Sequence, residues 1–249
     1  MNTKLPKRLR KEPLLDALFE CRLEVEFPLS NILPGVFFSE FEGDKHIERL
    51  PQSEIPEVIR NSDPNFQYVP LVRIRMDSYS FLIGDRSVAV ACNLPYKGWN
   101  DFKLTIIKMI EVLKKTGLIN GIVRYSIKYI DLIQSDDPAE QVGLANLFLK
   151  IGSHNLTKES YQVRMDIPAD GFINVVQIIS GVKVTLPDKS SLEGVVIDID
   201  TIKNTDGISL EKMEQNIDES LDHIHRISKL TFFDCLAAQT LMKLDPEYE

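Results

Sequence analysis

The stretch from Ala17 to Phe27 constrains the fold most, because apolar and charged residues alternate along it almost without a break. Successive side chains of a β-strand point to opposite faces, so this pattern predicts a half-buried strand. A second alternating run, Gly121 to Ile133, predicts another long strand with one polar face. Strands of this kind are typical of antiparallel sheets. The two runs therefore predict a largely antiparallel sheet.

Five further runs of sequence are rich in residues that favour strands. They are Tyr68 to Met76, Phe81 to Cys92, Tyr161 to Ile167, Phe172 to Leu186 and Leu192 to Ile202. The first two predict a hairpin and the last three an antiparallel meander. The turns that separate them are predicted at Asp77–Ser78, Ala169–Gly171 and Pro187–Ser190. The proline-rich segment Pro28 to Pro64 predicts short helices and loops.

Two long amphipathic helices are predicted by apolar residues that recur at a spacing of three to four. The first helix has Asn100 as its candidate N-cap and ends near Gly117. The second helix begins after Ser209 and keeps its helical period to about Thr231. The predicted fold class is therefore α+β, a largely antiparallel sheet with both helices packed on it. Strands followed by a long helix occur in each half, which permits a pseudo-duplicated design.

The length of 249 residues and the hydrophobic fraction of 43% allow a substantial core. We expect a single α+β domain over residues 1–249, and a two-lobed division near residues 135–157 is the alternative. Residues 1–12 are rich in basic side chains and are expected to form a flexible tail. These side chains are Lys4, Lys7, Arg8, Arg10 and Lys11.

Charge, cysteine usage and the lack of long apolar runs argue against several classes of protein. The formal net charge of -8 argues against a surface built throughout to hold phosphates. The three cysteines are widely spaced and odd in number, which favours neither a disulfide framework nor a thiolate metal site. No stretch reaches the roughly 18 uninterrupted apolar residues of a membrane span, and no signal-peptide pattern follows the basic N-terminus. We therefore expect a cytoplasmic protein.

Six basic residues lie on the polar phase of the predicted strands, and they form the candidate binding patch. They are Arg22, Arg73, Arg75, Arg124, Lys128 and Arg164. If their strands are neighbours, these side chains suit a carboxylate, a phosphate or an acidic partner segment. Acidic residues share the same phases, so cross-strand salt bridges are the alternative interpretation.

Tyr96 and Trp99 precede the first long helix and are candidates for stacking on a nucleic-acid base or a partner side chain. The alternative is that both rings anchor the start of that helix on the sheet. The stacking interpretation requires both rings to be accessible to a ligand, whereas the anchoring interpretation has them packed within the protein.

Asp198 and Asp200 are the candidate metal ligands, because residues two apart in a strand point to one face. Strands with a polar face place charges at this spacing for structural reasons as well. No further ligands follow nearby, and we find neither a nucleophile beside a base nor a phosphate-binding glycine loop. The sequence therefore predicts no catalytic residues and no cofactor.

Three stretches together resemble a sporadically distributed bacterial family of about 250 residues without a characterised function. They are Lys11 to Arg22, Pro95 to Phe102 and Val123 to Asp131, and Asp198-Ile-Asp200 and the helix around His225 to Phe233 also resemble that family's C-terminal half. The family has an alternating first strand, a Tyr-x-x-Trp pair opening a helix, and an Arg-Tyr-x-x-x-Ile strand. Its patchy occurrence implies an accessory role beside mobile or defence genes, by analogy.

The leading functional hypothesis is a non-enzymatic accessory subunit or adaptor of a bacterial system that binds another protein. A metal-dependent enzyme acting on a phosphorylated or nucleic-acid substrate is the first alternative. A nucleic-acid-binding module is the second alternative. Homo-oligomerisation also remains open, because a sheet of this kind has exposed edges.

Overall fold

The computed structural model describes residues 5–185 and 191–248 and shows an α+β protein. In the described residues the strands are β1 (Arg8–Leu9), β2 (Leu14–Val25), β3 (His46–Arg49), β4 (Pro70–Arg75), β5 (Tyr79–Gly84), β6 (Ser87–Cys92), β7 (Ile119–Gln134), β8 (Lys150–Ile151), β9 (His154–Asn155), β10 (Gln162–Ala169), β11 (Phe172–Thr185), β12 (Ser191–Ile208) and β13 (Pro246–Glu247). The helices are α1 (Leu33–Glu40), α2 (Glu57–Ser62), α3 (Trp99–Thr116), α4 (Pro138–Gln141), α5 (Leu210–Glu214), α6 (Ile217–Cys235) and α7 (Ala238–Lys243).

Nine of these strands form one sheet in the order β10-β11-β12-β7-β2-β6-β5-β4-β3. The pairs β10/β11, β2/β6, β3/β4, β4/β5 and β5/β6 are antiparallel. The α+β class and the largely antiparallel sheet that the sequence predicts are therefore confirmed. The predicted turn at Pro187–Ser190 lies outside the described residues.

The chain forms two compact units, each assembled from separate segments. Unit 1 contains residues 1–15, 128–201 and 225–249, and unit 2 contains residues 16–127 and 202–224. The predicted division near 135–157 lies inside one segment of unit 1, because strands far apart in sequence pair with one another.

The core of unit 1 lies on one face of its strands. Alternate residues of β12 and β11, such as Ile197 and Val176, pack with Ile133 of β7 and Leu236. Phe232 and Phe233 of α6 cover this cluster. The period of two along the strands thus separates the core face from the face that carries Lys128 and Asp198.

The core of unit 2 also lies on one face of its strands. Phe19 of β2, Phe81 of β5 and Phe37 of α1 are fully buried, and the last two rings meet edge to face at 5.0 Å. The buried stripe of α3 contains the residues that the sequence predicts. These are Phe102, Ile106, Met109, Ile110 and Leu113.

Both ends of α3 are set by glycine. Gly98 is the N-cap residue with φ of 96°, and Gly117 ends the helix with φ of 66°. Only glycine adopts such angles without strain. The C-terminal prediction is confirmed, whereas the N-cap prediction is wrong, because Asn100 lies inside the helix.

The second predicted helix is divided into α5 and α6. Ser209 caps α5, its Oγ accepting a hydrogen bond of 3.3 Å from the Lys212 amide. α5 then ends at Glu214 and α6 begins at Ile217. The predicted strand Phe81 to Cys92 is likewise divided, because the chain turns at Asp85 and Arg86 between β5 and β6. Asp85 is buried in this turn and accepts a hydrogen bond of 2.8 Å from Arg60 of α2.

The basic N-terminal segment pairs with the other end of the chain. Arg8 and Leu9 are opposite Glu247 and Pro246, and Leu9 is buried. Glu247 forms ion pairs with Arg8 and, at 2.7 Å, with Arg10. This pairing replaces the predicted flexible tail over these residues, because the apolar anchor and the shared carboxylate hold the strand. No described helix is long and apolar enough to cross a membrane.

Candidate binding surface

The six predicted patch residues are divided between the two units. Arg22, Arg73, Arg75 and Arg124 lie in unit 2, and Lys128 and Arg164 lie in unit 1. All six are on the face of their strands opposite the core, as the alternation of side chains requires. Their surroundings within each unit decide which of them can act together.

Arg73 and Arg75 of β4 form the closest basic pair of unit 2 and share one carboxylate. Residue Arg73 lies directly opposite Glu48 of β3, and its Nη1 donates to Glu48 Oε1 at 2.9 Å. Arg75 Nη2 is 3.6 Å from the same oxygen. One carboxylate oxygen of β3 thus faces two guanidinium groups.

A depression of about 420 Å³ adjoins this pair, and we call it the sheet-face groove. It is lined by Asp16, Leu18, Arg73, Arg75, Ser80, Leu82, Ala91, Cys92 and Asn93. Its floor is apolar where Leu18, Leu82 and Ala91 project from neighbouring strands. Its polar side is fixed: Asn93 Nδ2 donates to Met76 O at 2.6 Å, and Ser80 Oγ donates to Asn93 Oδ1 at 3.0 Å. The groove therefore joins two cations and the Asp16 carboxylate to a preformed apolar floor.

Arg22 is held by its own neighbours. Its Nε donates to Glu20 at 2.8 Å, and its guanidinium lies over the Tyr68 ring at 4.5 Å. Arg124 is half-buried on β7. Neither lines the sheet-face groove. The structure therefore narrows the unit 2 part of the patch to Arg73 and Arg75.

The basic residues of unit 1 are also paired with carboxylates. Lys128 Nζ is 2.9 Å from Asp198 Oδ2, which Gln177 reaches at 3.4 Å. Arg164 is directly opposite Gln177 and forms an ion pair of 3.0 Å with Asp166. These residues form a line across four strands in which positive and negative charges compensate, as the salt-bridge interpretation predicts.

Asp198 and Asp200 gain no third acidic, histidine or cysteine ligand among the described residues, so a metal site there stays a prediction. A divalent cation takes several oxygen ligands, but no group of three or more His, Cys, Asp or Glu side chains in the described ranges could hold a metal ion. The Lys128 ammonium already occupies one oxygen of Asp198. Asp198 Oδ1 is buried without a hydrogen-bond partner among the described residues. We derive no reaction step through a metal at this site.

Tyr96 and Trp99 both pack on Phe102 in the first turn of α3. Their ring centroids are 6.3 and 6.2 Å from that buried ring, each in an edge-to-face arrangement. Trp99 Nε1 donates to Asp222 of α6 at 2.7 Å, and Asp222 also accepts from Lys103 at 3.0 Å. These contacts favour the anchoring role over the stacking role, because both rings pack on Phe102 and the indole N–H is bonded to Asp222.

Two buried polar features were missed at the sequence level. Asp131 of β7 is 7% exposed, and burial raises its pKa to about 7. Asn174 is buried and bridges two threonines, accepting from Thr201 and donating to Thr231, both at 2.8 Å. The available signal was a polar residue in the apolar phase of a strand, which applies to Asp131 in the run Gly121 to Ile133.

Comparison with known proteins adds no functional assignment. No family model matches this chain, and no curated protein sequence is significantly similar to it. The resemblance to a sporadic bacterial family therefore stays a prediction. Function has to be argued from the geometry of the described residues.

Proposed function

We propose that this protein is a non-enzymatic interaction subunit that binds an acidic segment of another protein in the sheet-face groove. The observation that carries the proposal is the arrangement of Arg73 and Arg75, which share Glu48 Oε1 beside an apolar floor. Glu48 lies beyond normal hydrogen-bond distance of Arg75, so the N–H groups of this guanidinium can bind a carboxylate from a partner. Guanidinium groups suit this role because they bind carboxylates with two parallel hydrogen bonds.

Arg75 is the residue best placed to receive the partner. Its distance of 3.6 Å from Glu48 exceeds a normal hydrogen bond, and its side chain is 57% exposed. Arg73 is held at 2.9 Å and is 35% exposed, so it positions Glu48 and adds charge. An acidic side chain would contact Arg75 while an adjacent apolar side chain covers Leu18 and Leu82.

A protein partner suits this site better than a polyanion or a substrate. The net charge of -8 repels nucleic acid, so a broad phosphate-binding surface has no support from composition. A volume of about 420 Å³ accommodates a few side chains of a docked segment. The three free cysteines agree with action in the reducing cytoplasm, which we keep as part of the proposal together with a bacterial accessory role.

The proposal is tested by photocrosslinking followed by binding measurements. A photoreactive amino acid in place of Leu82 labels whatever occupies the groove in the native host, and mass spectrometry identifies it. Calorimetry with the purified partner should then show that Arg73→Ala with Arg75→Ala weakens binding about tenfold or more, with stronger binding at low salt. Arg49→Ala is the matched control, because Arg49 is exposed on β3 but opposite Val72, on the other face.

Three outcomes would contradict this function. Unchanged affinity in the double variant would remove the groove as the binding site. Crosslinks to nucleic acid would favour the nucleic-acid module. A divalent ion that raises the melting temperature of the wild type but not of Asp198→Asn would favour the metal-dependent enzyme.

A further inference from the structure

Strand β10 is an eight-residue edge of the large sheet. In the part of the chain that the structure describes, no strand pairs with its outer side. The opposite edge, β3, has only four residues and carries His46, Glu48 and Arg49. Short, charged edge strands resist pairing, whereas a long edge with apolar side chains invites it.

The backbone of β10 shows which residues offer hydrogen bonds to a new strand. Ser180 N donates to Tyr161 O at 3.0 Å, so Tyr161 forms a hydrogen-bonded pair with β11. Such pairs alternate along an antiparallel ladder. The groups that point away from β11 therefore belong to Gln162, Arg164, Asp166 and Pro168. Pro168 has no N–H, so it loses no bond to β11, and it offers an added strand only its carbonyl oxygen.

The side chains of β10 are sorted by charge between its two faces. Arg164 and Asp166 share one face and form an ion pair of 3.0 Å. Val163, Met165 and Ile167 share the other, and Met165 and Ile167 are 56% and 39% exposed. An added strand would cover this apolar row and meet one positive and one negative charge in fixed order.

We infer that β10 pairs antiparallel with β10 of a second copy of this chain, on a two-fold axis at Met165. In this register Arg164 is opposite Asp166 of the second copy, and Val163 is opposite Ile167 of the second copy. Opposite charges and apolar groups thus meet on their own faces. Both pairs occur twice, as an isologous two-fold interface requires.

The nearest competing registers place like charges together. The outward groups are all at even positions, so antiparallel registers shift the centre by one residue at a time, from Met165 to Arg164 or Asp166. The first places two arginines opposite each other and the second two aspartates, which is unfavourable. A parallel, in-register pairing also aligns identical charges. The sequence of β10 therefore favours this self-pairing by attraction and disfavours the two adjacent antiparallel registers and the parallel pairing by repulsion.

Charge exchange tests this register. Sedimentation velocity from 1 to 100 µM should show a wild-type dimer of the 28.4 kDa chain. Arg164→Asp alone and Asp166→Arg alone should each weaken self-association by about tenfold or more, because each places like charges across the axis. An equimolar mixture of the two single variants should recover the dimer, as should the variant that carries both substitutions. This recovery also shows that the variants are folded.

Disulfide trapping gives an independent test of the axis. Opposed residues of a non-hydrogen-bonded antiparallel pair have Cα atoms roughly 4.5 Å apart, within disulfide reach. Met165→Cys should therefore form a crosslinked dimer under mild oxidation. Ile167→Cys is the control, since its two copies would be about 14 Å apart along the strands at roughly 3.4 Å per residue. Wild-type protein oxidised in the same way shows whether Cys21, Cys92 or Cys235 forms any crosslinked dimer.

A monomeric wild type at 100 µM would overturn the inference. So would a dimer that Arg164→Asp leaves unchanged, or equal crosslinking of both cysteine variants. The inference is independent of the sheet-face groove, which lies in unit 2, whereas β10 lies in unit 1. Arg73→Ala with Arg75→Ala should leave the dimer intact, so either proposal can fail while the other holds.

Discussion

At the scale of single residues, Asp131 is a carboxylate placed where charge is costly. It is 7% exposed, and burial raises its pKa to about 7 from an ordinary value of 3.8. The folded state therefore keeps a proton on Asp131 at a pH where the unfolded chain has released it. The resulting loss of stability is absent below about pH 4, grows as pH rises toward 7 and is constant above that.

We expect Asp131→Asn to stabilise the protein at pH 8 and to have a much smaller effect at pH 5. The amide has nothing to ionise, so the variant escapes the penalty. Three pH units of displacement correspond to about 4 kcal/mol at pH 8, and the stabilisation at pH 5 should be smaller by about 3 kcal/mol. Urea unfolding of both proteins at pH 5 and pH 8 measures this change in the free energy of unfolding. Asp136→Asn, an exposed aspartate of the same segment, should show no such difference; an equal response would contradict the burial argument.

At the scale of elements, the Asn174 network connects two strands to a helix within unit 1. Thr201 of β12 donates to Asn174 of β11, which donates to Thr231 of α6. Thr231 Oγ1 in turn donates to Ile227 O at 3.0 Å. Each polar group of this network bonds to the next one. The network therefore fixes which residues of α6 face the strands.

Asn174→Ala should lower the free energy of unfolding by about 2 to 3 kcal/mol, because it removes the acceptor of the Thr201 hydroxyl and one of the two hydrogen bonds of the Thr231 hydroxyl, which keeps its bond to Ile227. The hydroxyl of Thr201 belongs to a residue that is 0% exposed, so water cannot replace the lost bond there. Denaturant unfolding measures the change. Adding Thr201→Val to Asn174→Ala should cost less than Thr201→Val alone in the wild type. Additive effects would show that the network is not coupled.

At the scale of the whole molecule, acidic residues outnumber basic ones, and some of them form ion pairs with basic residues of the predicted patch. The formal net charge is -8, and Arg22, Lys128 and Arg164 each have a carboxylate within 3.0 Å. Arg73 and Arg75 differ from these residues, because their two guanidinium groups share one carboxylate oxygen, Glu48 Oε1.

We expect no retention on heparin at 150 mM salt and no anisotropy change with a labelled 20-base-pair duplex. A protein that binds nucleic acid through phosphate contacts loses affinity steeply with salt, and this chain offers few uncompensated cations. A salt titration downward from that condition completes the test. Retention that disappears in Arg73→Ala with Arg75→Ala would instead assign the groove to a polyanion.

The sequence by itself determined the class of fold and the faces of its main elements. Alternation over Ala17 to Phe27 placed Phe19 in the core and Arg22 on the polar face, and helical spacing identified the buried stripe of α3. These patterns are local, because a period of two or of 3.6 is written into consecutive residues. The pseudo-duplicated design remains a prediction.

Only the tertiary structure decided which charges meet and which strand edge stays open. Glu48 reaches Arg73 and Arg75, and Lys128 reaches Asp198, because β3 lies beside β4 and β7 beside β12. The order of the strands depends on contacts between segments that are far apart in the sequence. No local period of apolar residues encodes such contacts. For the same reason β10 was recognisable as a strand from its residues, whereas its place at the edge of the sheet was not.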